Sequence, residues 1–294
     1  MKLLISLFFV FIFVRCSNDD TIVDKSTLQG NDYRLFQGTP VWRLAKAVRD
    51  GDTESVKKMA IEEKVDLNYQ EPKFGKTLLM LTILNRQFKS CKALLESGAN
   101  PNLHDAYNGT SAIIYATNAE GMFNDATGFL RLVLAFGGNP NDVETGDRPQ
   151  GNSTRETPLM VASGTSDKLS HSIEKVKVLI AAGANINYKN EFGQTALGKS
   201  VIQGNLEVSL FLLKKGADYS VPIRYENGKD YYLWNELKFL LFDLDSKEYK
   251  QKMEIVSFLQ QKGIRYRDLP IPDYARDEAQ KRYPNNWKEY LGKY

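Results

Sequence analysis

The chain has 294 residues, of which 42% are hydrophobic and 26% are charged, and its formal net charge is +3. So small a basic excess does not supply the concentrated basic face that nucleic acid requires, and we therefore expect no nucleic-acid partner. There are two cysteines, Cys16 and Cys91. Cys16 lies close to the N-terminus, which leaves only Cys91 in the rest of the chain, so no disulfide is expected there.

The first 16 residues have the pattern of an export signal. A short positive start is followed by an apolar run over residues 3–14, in which Ser6 is the one polar residue; the run is too short for a comfortable membrane span, and Cys16 and a polar stretch follow it. This arrangement resembles a bacterial lipoprotein signal, in which the cysteine becomes the acylated first residue of the mature chain. We predict a signal peptide over 1–16 that ends at a lipidated Cys16, and a polar tether over 17–38.

Arg15 departs from the lipoprotein pattern, since that position normally holds a small residue. Two alternatives stay open, namely cleavage after Cys16 by the ordinary signal peptidase and an uncleaved anchor. Ser17 follows the cysteine in place of the aspartate that retains enterobacterial lipoproteins in the inner membrane. The resemblance therefore implies a lipid anchor in the outer membrane, facing the periplasm or the surface.

Two short phrases recur in register along the middle of the chain. One starts with threonine and has leucine or alanine two residues later, at Thr77, Thr110, Thr157 and Thr195. The other follows an apolar doublet and starts with glycine, at Gly98, Gly137, Gly183 and Gly216. The steps between the threonines are 33, 47 and 38 residues. Self-similarity at this period predicts a stack of repeats, some of them carrying insertions.

The copy from Asn190 to Gly216 shows what one unit contains. Residues 190–193 read as a turn, and Thr195 can cap a helix that runs to about Gln203. A Gly-Asn break precedes a second helix over 206–215, which Gly216 ends. Each helix has an apolar face that a single unit cannot bury, so the units are expected to stack.

This unit resembles the ankyrin repeat, whose consensus carries Gly-x-Thr-Pro-Leu-His and, later, Leu-Leu-x-x-Gly-Ala-Asp. The best matches are residues 157–162 and 179–185. The resemblance covers residues 39–265 and implies an all-α ankyrin-repeat solenoid of about five to six helix-turn-helix units with degenerate caps. Extra residues around 120–127, 143–153 and 164–171 are expected as loops. The consensus histidine, which helps to tie repeats together, is replaced by Met80, Ile113, Met160 and Gly198.

The third position of each turn is the candidate binding site. In the threonine register it holds Phe74, Tyr107 and Phe192, with Thr154 in the inserted repeat. In ankyrin proteins this position projects along the concave edge and commonly contacts partners, and exposed aromatic residues suit an interface core. The polar surround would come from Lys73, Lys76, Glu191 and Gln194. The alternative is that each ring packs on the neighbouring turn and seals the stack.

No arrangement of side chains argues for catalysis, a cofactor, a metal ion or a small-molecule substrate. The two histidines, His104 and His171, have no second ligand at metal-binding spacing. Cys91 lies in the apolar stripe of a second helix, so we expect a buried and unreactive thiol.

The end of the chain departs from the repeat pattern. Pro270 and Pro272 cannot continue a helix, so the array is expected to end before them. We predict a C-terminal capping tail over 266–294, with a helix over 273–281 and with Trp287 and Tyr290 packing back on the last repeat. A partner-binding tail is the alternative.

Family resemblance implies a non-enzymatic protein-binding module, although a fold alone does not determine a function. Combined with the export signal, it predicts a repeat domain in the bacterial cell envelope whose partner is another protein. One concrete role is an immunity protein that neutralises an envelope-targeted toxin. The alternative is a structural envelope scaffold in assembly or stress tolerance, and a hydrolase that uses an insertion loop is a third option.

Overall fold

The computed structural model describes residues 21–119, 125–146, 155–165 and 170–293. The predicted signal peptide, Cys16, Thr154 and most of the three predicted insertions lie outside these residues. Among the residues described, no helix combines the length and the apolar character needed to cross a membrane.

The described residues form six successive helix pairs. The pairs are α1 (Trp42–Asp50) with α2 (Thr53–Ile61), α3 (Leu78–Leu84) with α4 (Phe88–Glu96), α5 (Ala112–Asn118) with α6 (Gly128–Ala135), α7 (Pro158–Gly164) with α8 (Ser170–Ala181), α9 (Ala196–Ile202) with α10 (Leu206–Lys214), and α11 (Leu233–Glu236) with α12 (Lys247–Gln261). The first helices of successive pairs contact one another along one side of the array. The predicted all-α solenoid of five to six units is confirmed.

Threonines begin three of the first helices, as predicted. The Oγ1 atoms of Thr77, Thr157 and Thr195 accept hydrogen bonds from backbone N–H groups in the first turn of α3, α7 and α9, at 3.1–3.3 Å. In the second repeat the residue before the helix is Ser111, so the alignment of Thr110 with Thr77 is wrong by one residue. Thr110 directly follows Gly109, whereas one residue separates Gly75 from Thr77, and Ser111 donates its hydroxyl to Asp142 of the next turn.

The glycine phrase ends the second helices and links the repeats. Gly98, Gly137, Gly183 and Gly216 all have positive φ, between 86° and 98°, which is the predicted left-handed cap. The second asparagine of the first three phrases then reaches the next repeat. Asn141, for example, accepts from the backbone N–H of Asn185 at 2.6 Å and donates to the carbonyl of Gly183 at 3.1 Å.

One continuous hydrophobic core runs through the array, between the two rows of helices. Leu179 and Leu212 have no exposed surface, in line with the apolar stripes seen in the sequence. Cys91 is also fully buried, as predicted, and burial raises the pKa of its thiol to about 12.

Residues 21–38 are not a tether. They form 3-10 turns at Lys25–Thr27 and Tyr33–Phe36, and Leu35 and Phe36 are completely buried against the first helix pair. The prediction of a polar tether over 17–38 is therefore wrong for the part that is described. The reason is physical: the first pair has no preceding repeat, and these apolar side chains cover its exposed end.

A β-hairpin interrupts the helices between α10 and α11. Strands β1 (Arg224–Glu226) and β2 (Lys229–Tyr231) pair antiparallel, with Asn227 and Gly228 at positive φ in the turn. Asn-Gly is the residue pair that such two-residue turns prefer, so the signal was present in the sequence but was missed.

Two helices follow the array, α13 (Asp273–Arg282) and α14 (Trp287–Lys293), and α13 matches the helix expected over 273–281. Their buried residues pack against Leu241 and Leu244, in the segment that leads into α12. The hydroxyl of Tyr290 donates to the carbonyl of Phe242 at 2.8 Å. The tail therefore contacts the last unit.

Candidate functional site

Three of the turns are each built around a buried polar side chain. The carboxylate of Glu71 accepts from the backbone N–H groups of Lys73, Phe74 and Lys76 at 2.7–3.1 Å. Asp105 does the same for residues 107–109, and Asn190 for residues 192 and 194. Because these acceptors are at most 5% exposed, each turn is built around its own hydrogen-bonded centre. None of these three residues was predicted from the sequence to have this role.

The three predicted aromatic residues do not occupy one equivalent position. Phe74 and Phe192 each directly precede a glycine with positive φ, Gly75 and Gly193, and each lies three residues before the capping threonine. Tyr107 lies two residues before the corresponding glycine and four before Ser111, because the second repeat is one residue out of register. The aromatic residues of the predicted strip therefore occupy two different positions in their turns.

The rings also differ in exposure. Tyr107 is 52% exposed and Phe192 is 65% exposed. Phe74 is half-buried and meets the ring of Tyr107 edge-on, with 6.0 Å between the ring centroids. Its ring also lies under the ammonium groups of Lys73 and Lys76, at 4.8 and 4.7 Å. Phe74 therefore follows the stack-sealing alternative, whereas Tyr107 and Phe192 present apolar surface to solvent.

Lys76 and Lys73 do not form an open polar surround. Lys76 is only 7% exposed, which contradicts its predicted place at the rim of an interface. Lys73 donates to the backbone carbonyls of Lys25, Ser26 and Leu28, at 3.1, 2.7 and 2.9 Å. The cause is the packed N-terminal segment, which crosses the first turn where a partner was expected.

The polar residues beside Phe192 serve the fold as well as the surface. The carboxylate of Glu191 pairs with Arg155, with 3.1 Å between Oε2 and Nε. Gln194 is half-buried and its amide oxygen accepts from Asn190 at 3.2 Å. Both contacts hold the turn that presents Phe192.

The hairpin adds an exposed aromatic residue that was not predicted from the sequence. Tyr225 lies on β1 and is 72% exposed. The hairpin stands between α10 and α11, where the other units have their turns, so Tyr225 extends the exposed aromatic set to the last unit. We call Tyr107, Phe192 and Tyr225 the turn-edge aromatics.

His104 has a structural role. Its Nε2 lies 3.0 Å from the Oδ1 of Asp142, which joins the second turn to the following one. Within the described ranges, no three His, Cys, Asp or Glu side chains are grouped so that they could hold a metal ion.

Comparison with known proteins decides the family. A family model described as "Ankyrin repeats (3 copies)" matches residues 44–141 and again 122–223, which is more than half of the chain. The chain belongs to the ankyrin repeat family. Ankyrin repeats generally mediate protein–protein interaction, and the fold is typically a non-enzymatic binding module.

Curated relatives cover different shares of the chain. Protein PhlB from Serratia liquefaciens is 30% identical over 173 residues, which is 59% of this chain and 67% of PhlB. The ankyrin repeat and KH domain-containing protein mask-1 from Caenorhabditis elegans is 27% identical over 62% of this chain and 7% of its own length. A putative ankyrin repeat protein, R664, from Acanthamoeba polyphaga mimivirus is 35% identical over 28% of this chain and 50% of its own.

Solved ankyrin structures share the fold. An ankyrin repeat domain from Acinetobacter baumannii AYE superposes with a TM-score of 0.57 at 21% identity, covering 74% of this chain and 98% of that one. The ankyrin repeat protein EF0377 gives a TM-score of 0.51 at 24% identity, over 73% of this chain and 96% of its own.

Proposed function

We propose that this ankyrin protein binds another protein along the turn edge of its array, through the turn-edge aromatics Tyr107, Phe192 and Tyr225. The observation that carries the proposal is their exposure, 52%, 65% and 72%, on backbone that is held in place by buried acceptors and by strand pairing. Large apolar rings cost free energy when left in water and gain it when a partner covers them. Since their backbone is already ordered, little additional entropy is lost on binding.

The test is site-specific photocrosslinking. A photoreactive phenylalanine analogue is placed at position 192 and, as a matched control, at Ile61, which is 70% exposed at the end of an outer helix. We expect one discrete protein to be crosslinked at 192 and not at 61. Equal crosslinking at both positions, or none at 192 in cells that produce the chain under native conditions, would argue against a turn-edge interface.

We further propose that the array acts in the bacterial cell envelope, tethered through Cys16, as an immunity protein against an envelope-targeted toxin. The support is the apolar run and cysteine of residues 1–16 together with a protein-binding fold. An alkynyl fatty acid should label the wild-type chain and fail to label Cys16→Ala. Absence of label on the wild type would refute the anchor. A crosslinked partner that is not toxic when delivered to cells lacking this chain would refute the immunity role and leave an envelope scaffold.

A further inference from the structure

A cleft of about 170 Å³ lies between the hairpin, α11 and the start of the C-terminal tail. One water molecule needs only about 10–15 Å³ by the same measure, so the cleft can hold a small organic group. Its walls come from Lys229 and Tyr231 of the hairpin, from Asn235, Lys238 and Phe239, and from two prolines of the tail. None of these lining residues is acidic. The cleft shares no residue with the turn-edge aromatics.

Two buried lysine side chains lie beside this cleft. Lys238 is 3% exposed, and its ammonium group lies 4.2 Å from the centroid of the Tyr266 ring. Lys252 is fully buried behind it and donates to the carbonyl of Leu240 at 3.0 Å. Burial lowers the pKa of Lys238, and burial together with the charge of Lys238 lowers the pKa of Lys252 to about 6. An anion in the cleft would offset the cost of keeping these groups charged.

The aromatic walls of the cleft are held in place. The guanidinium of Arg224 lies 4.0 Å from the Tyr231 ring centroid and 5.2 Å from that of Phe239. Glu236, which follows the lining residue Asn235 on α11, accepts from Nε of Arg224 at 2.5 Å, so the charge of this carboxylate is already offset. The lining therefore combines aromatic and proline surface with two lysines and one amide side chain.

We propose that the cleft binds a carboxylate group, with Lys238 at its floor and Lys229 at its rim as cationic partners and with Asn235 as an additional amide donor. A carboxylate group is small and singly charged, which matches the volume of the cleft and the two lysines that line it. This site goes beyond the turn edge and does not depend on it, because the two are built from different residues.

The test is thermal unfolding of the full chain at pH 7 in sodium acetate and in sodium chloride at equal ionic strength. Acetate should raise the melting temperature saturably, because a ligand of the folded state stabilises it by mass action. Lys238→Met should weaken the apparent acetate affinity roughly tenfold or more. Lys214→Met is the matched control, since that lysine borders another surface cleft and pairs with Glu254 at 3.7 Å, and it should leave the acetate effect unchanged.

Equal melting curves in the two salts would overturn the proposal, as would an acetate effect that persists in Lys238→Met. If that variant does not fold, the exposed Lys229→Ala decides, because an unchanged acetate dependence there would also overturn it. Inorganic phosphate that stabilises more than acetate at equal ionic strength would refute a carboxylate site. A glutamate tripeptide with blocked ends, compared with its glutamine counterpart, separates the sources: tighter binding than acetate assigns the site to an acidic protein segment, and equal binding to a free acid.

Discussion

Phe74 and Phe192 precede equivalent glycines but have different surroundings. Phe74 is packed between Tyr107 and two lysines, whereas Phe192 is 65% exposed. We therefore expect Phe74→Ala to lower the free energy of unfolding by about 1–3 kcal/mol and Phe192→Ala to change it by less than about 0.5 kcal/mol. Urea unfolding of the two variants measures this. A loss for Phe192→Ala as large as that for Phe74→Ala would mean that both rings only seal the stack.

The asparagine link between repeats predicts a second residue-scale effect. Asn141 makes two hydrogen bonds to the next repeat, to the backbone of Asn185 and of Gly183. Removing them with Asn141→Ala should cost about 1–2 kcal/mol in the free energy of unfolding. The exposed Asn118, at the end of α5, is the control, and its alanine variant should unfold like the wild type. Identical unfolding of both variants would show that the link contributes nothing.

The roles of single residues show which features the two repeated phrases predict and which they do not. The Thr and Gly phrases predicted three helix caps and four left-handed glycines correctly, because those roles depend on local backbone geometry. They misplaced the second repeat by one residue, because Ser111 stands directly before α5, where its hydroxyl is bonded to Asp142 of another repeat and makes no capping hydrogen bond. The burial of Lys76 could not be predicted either, because it depends on the N-terminal segment that covers the first turn.

At the scale of elements, the last unit is stabilised less at neutral pH than at high pH. Burial, and then the charge of Lys238, lower the pKa of Lys252 to about 6, whereas an unfolded lysine has a pKa of about 10.4. Between these two values the unfolded chain binds a proton that the folded chain does not. The free energy of unfolding should therefore rise with pH across this window, and the penalty is fully present below pH 6.

Lys252→Met tests this prediction, because methionine keeps most of the aliphatic volume and removes the ammonium group. The variant should melt at a higher temperature than the wild type at pH 7, and the difference should shrink as the pH approaches 10. Melting curves at several pH values provide the measurement. A difference that does not vary with pH would mean that the ammonium group is not responsible.

The two elements that the sequence did not predict lie directly before the first helix pair and directly before the last one. Residues 21–38 look polar in composition, but Leu35 and Phe36 are enough to cover the first pair. The hairpin was missed because its strands are three residues long and largely exposed, so they show no alternating apolar pattern. Both features depend on what an end of the stack requires, which a search for repeats does not show.

At the scale of the whole molecule, the stack predicts that damage stays local. Leu179 and Leu212 are fully buried between helix rows, so replacing either with alanine should cost about 2–5 kcal/mol. In a linear array each unit contacts only its neighbours, so Leu212→Ala should increase hydrogen exchange in α9 to α12 and leave α1 and α2 protected. A uniform increase along the whole chain would indicate a single cooperative unit instead.

We propose that the turn edge binds a protein partner, and this is tested by comparing the affinity of that partner for the wild type and for two matched variants. Once the protein crosslinked at position 192 has been identified, Phe192→Ala should raise its dissociation constant roughly 5- to 100-fold, as expected for an anchor residue. Ile61→Ala, which removes an equally exposed side chain elsewhere, should leave the constant unchanged. Equal affinity of the wild type and Phe192→Ala, with both fully folded, would contradict the account.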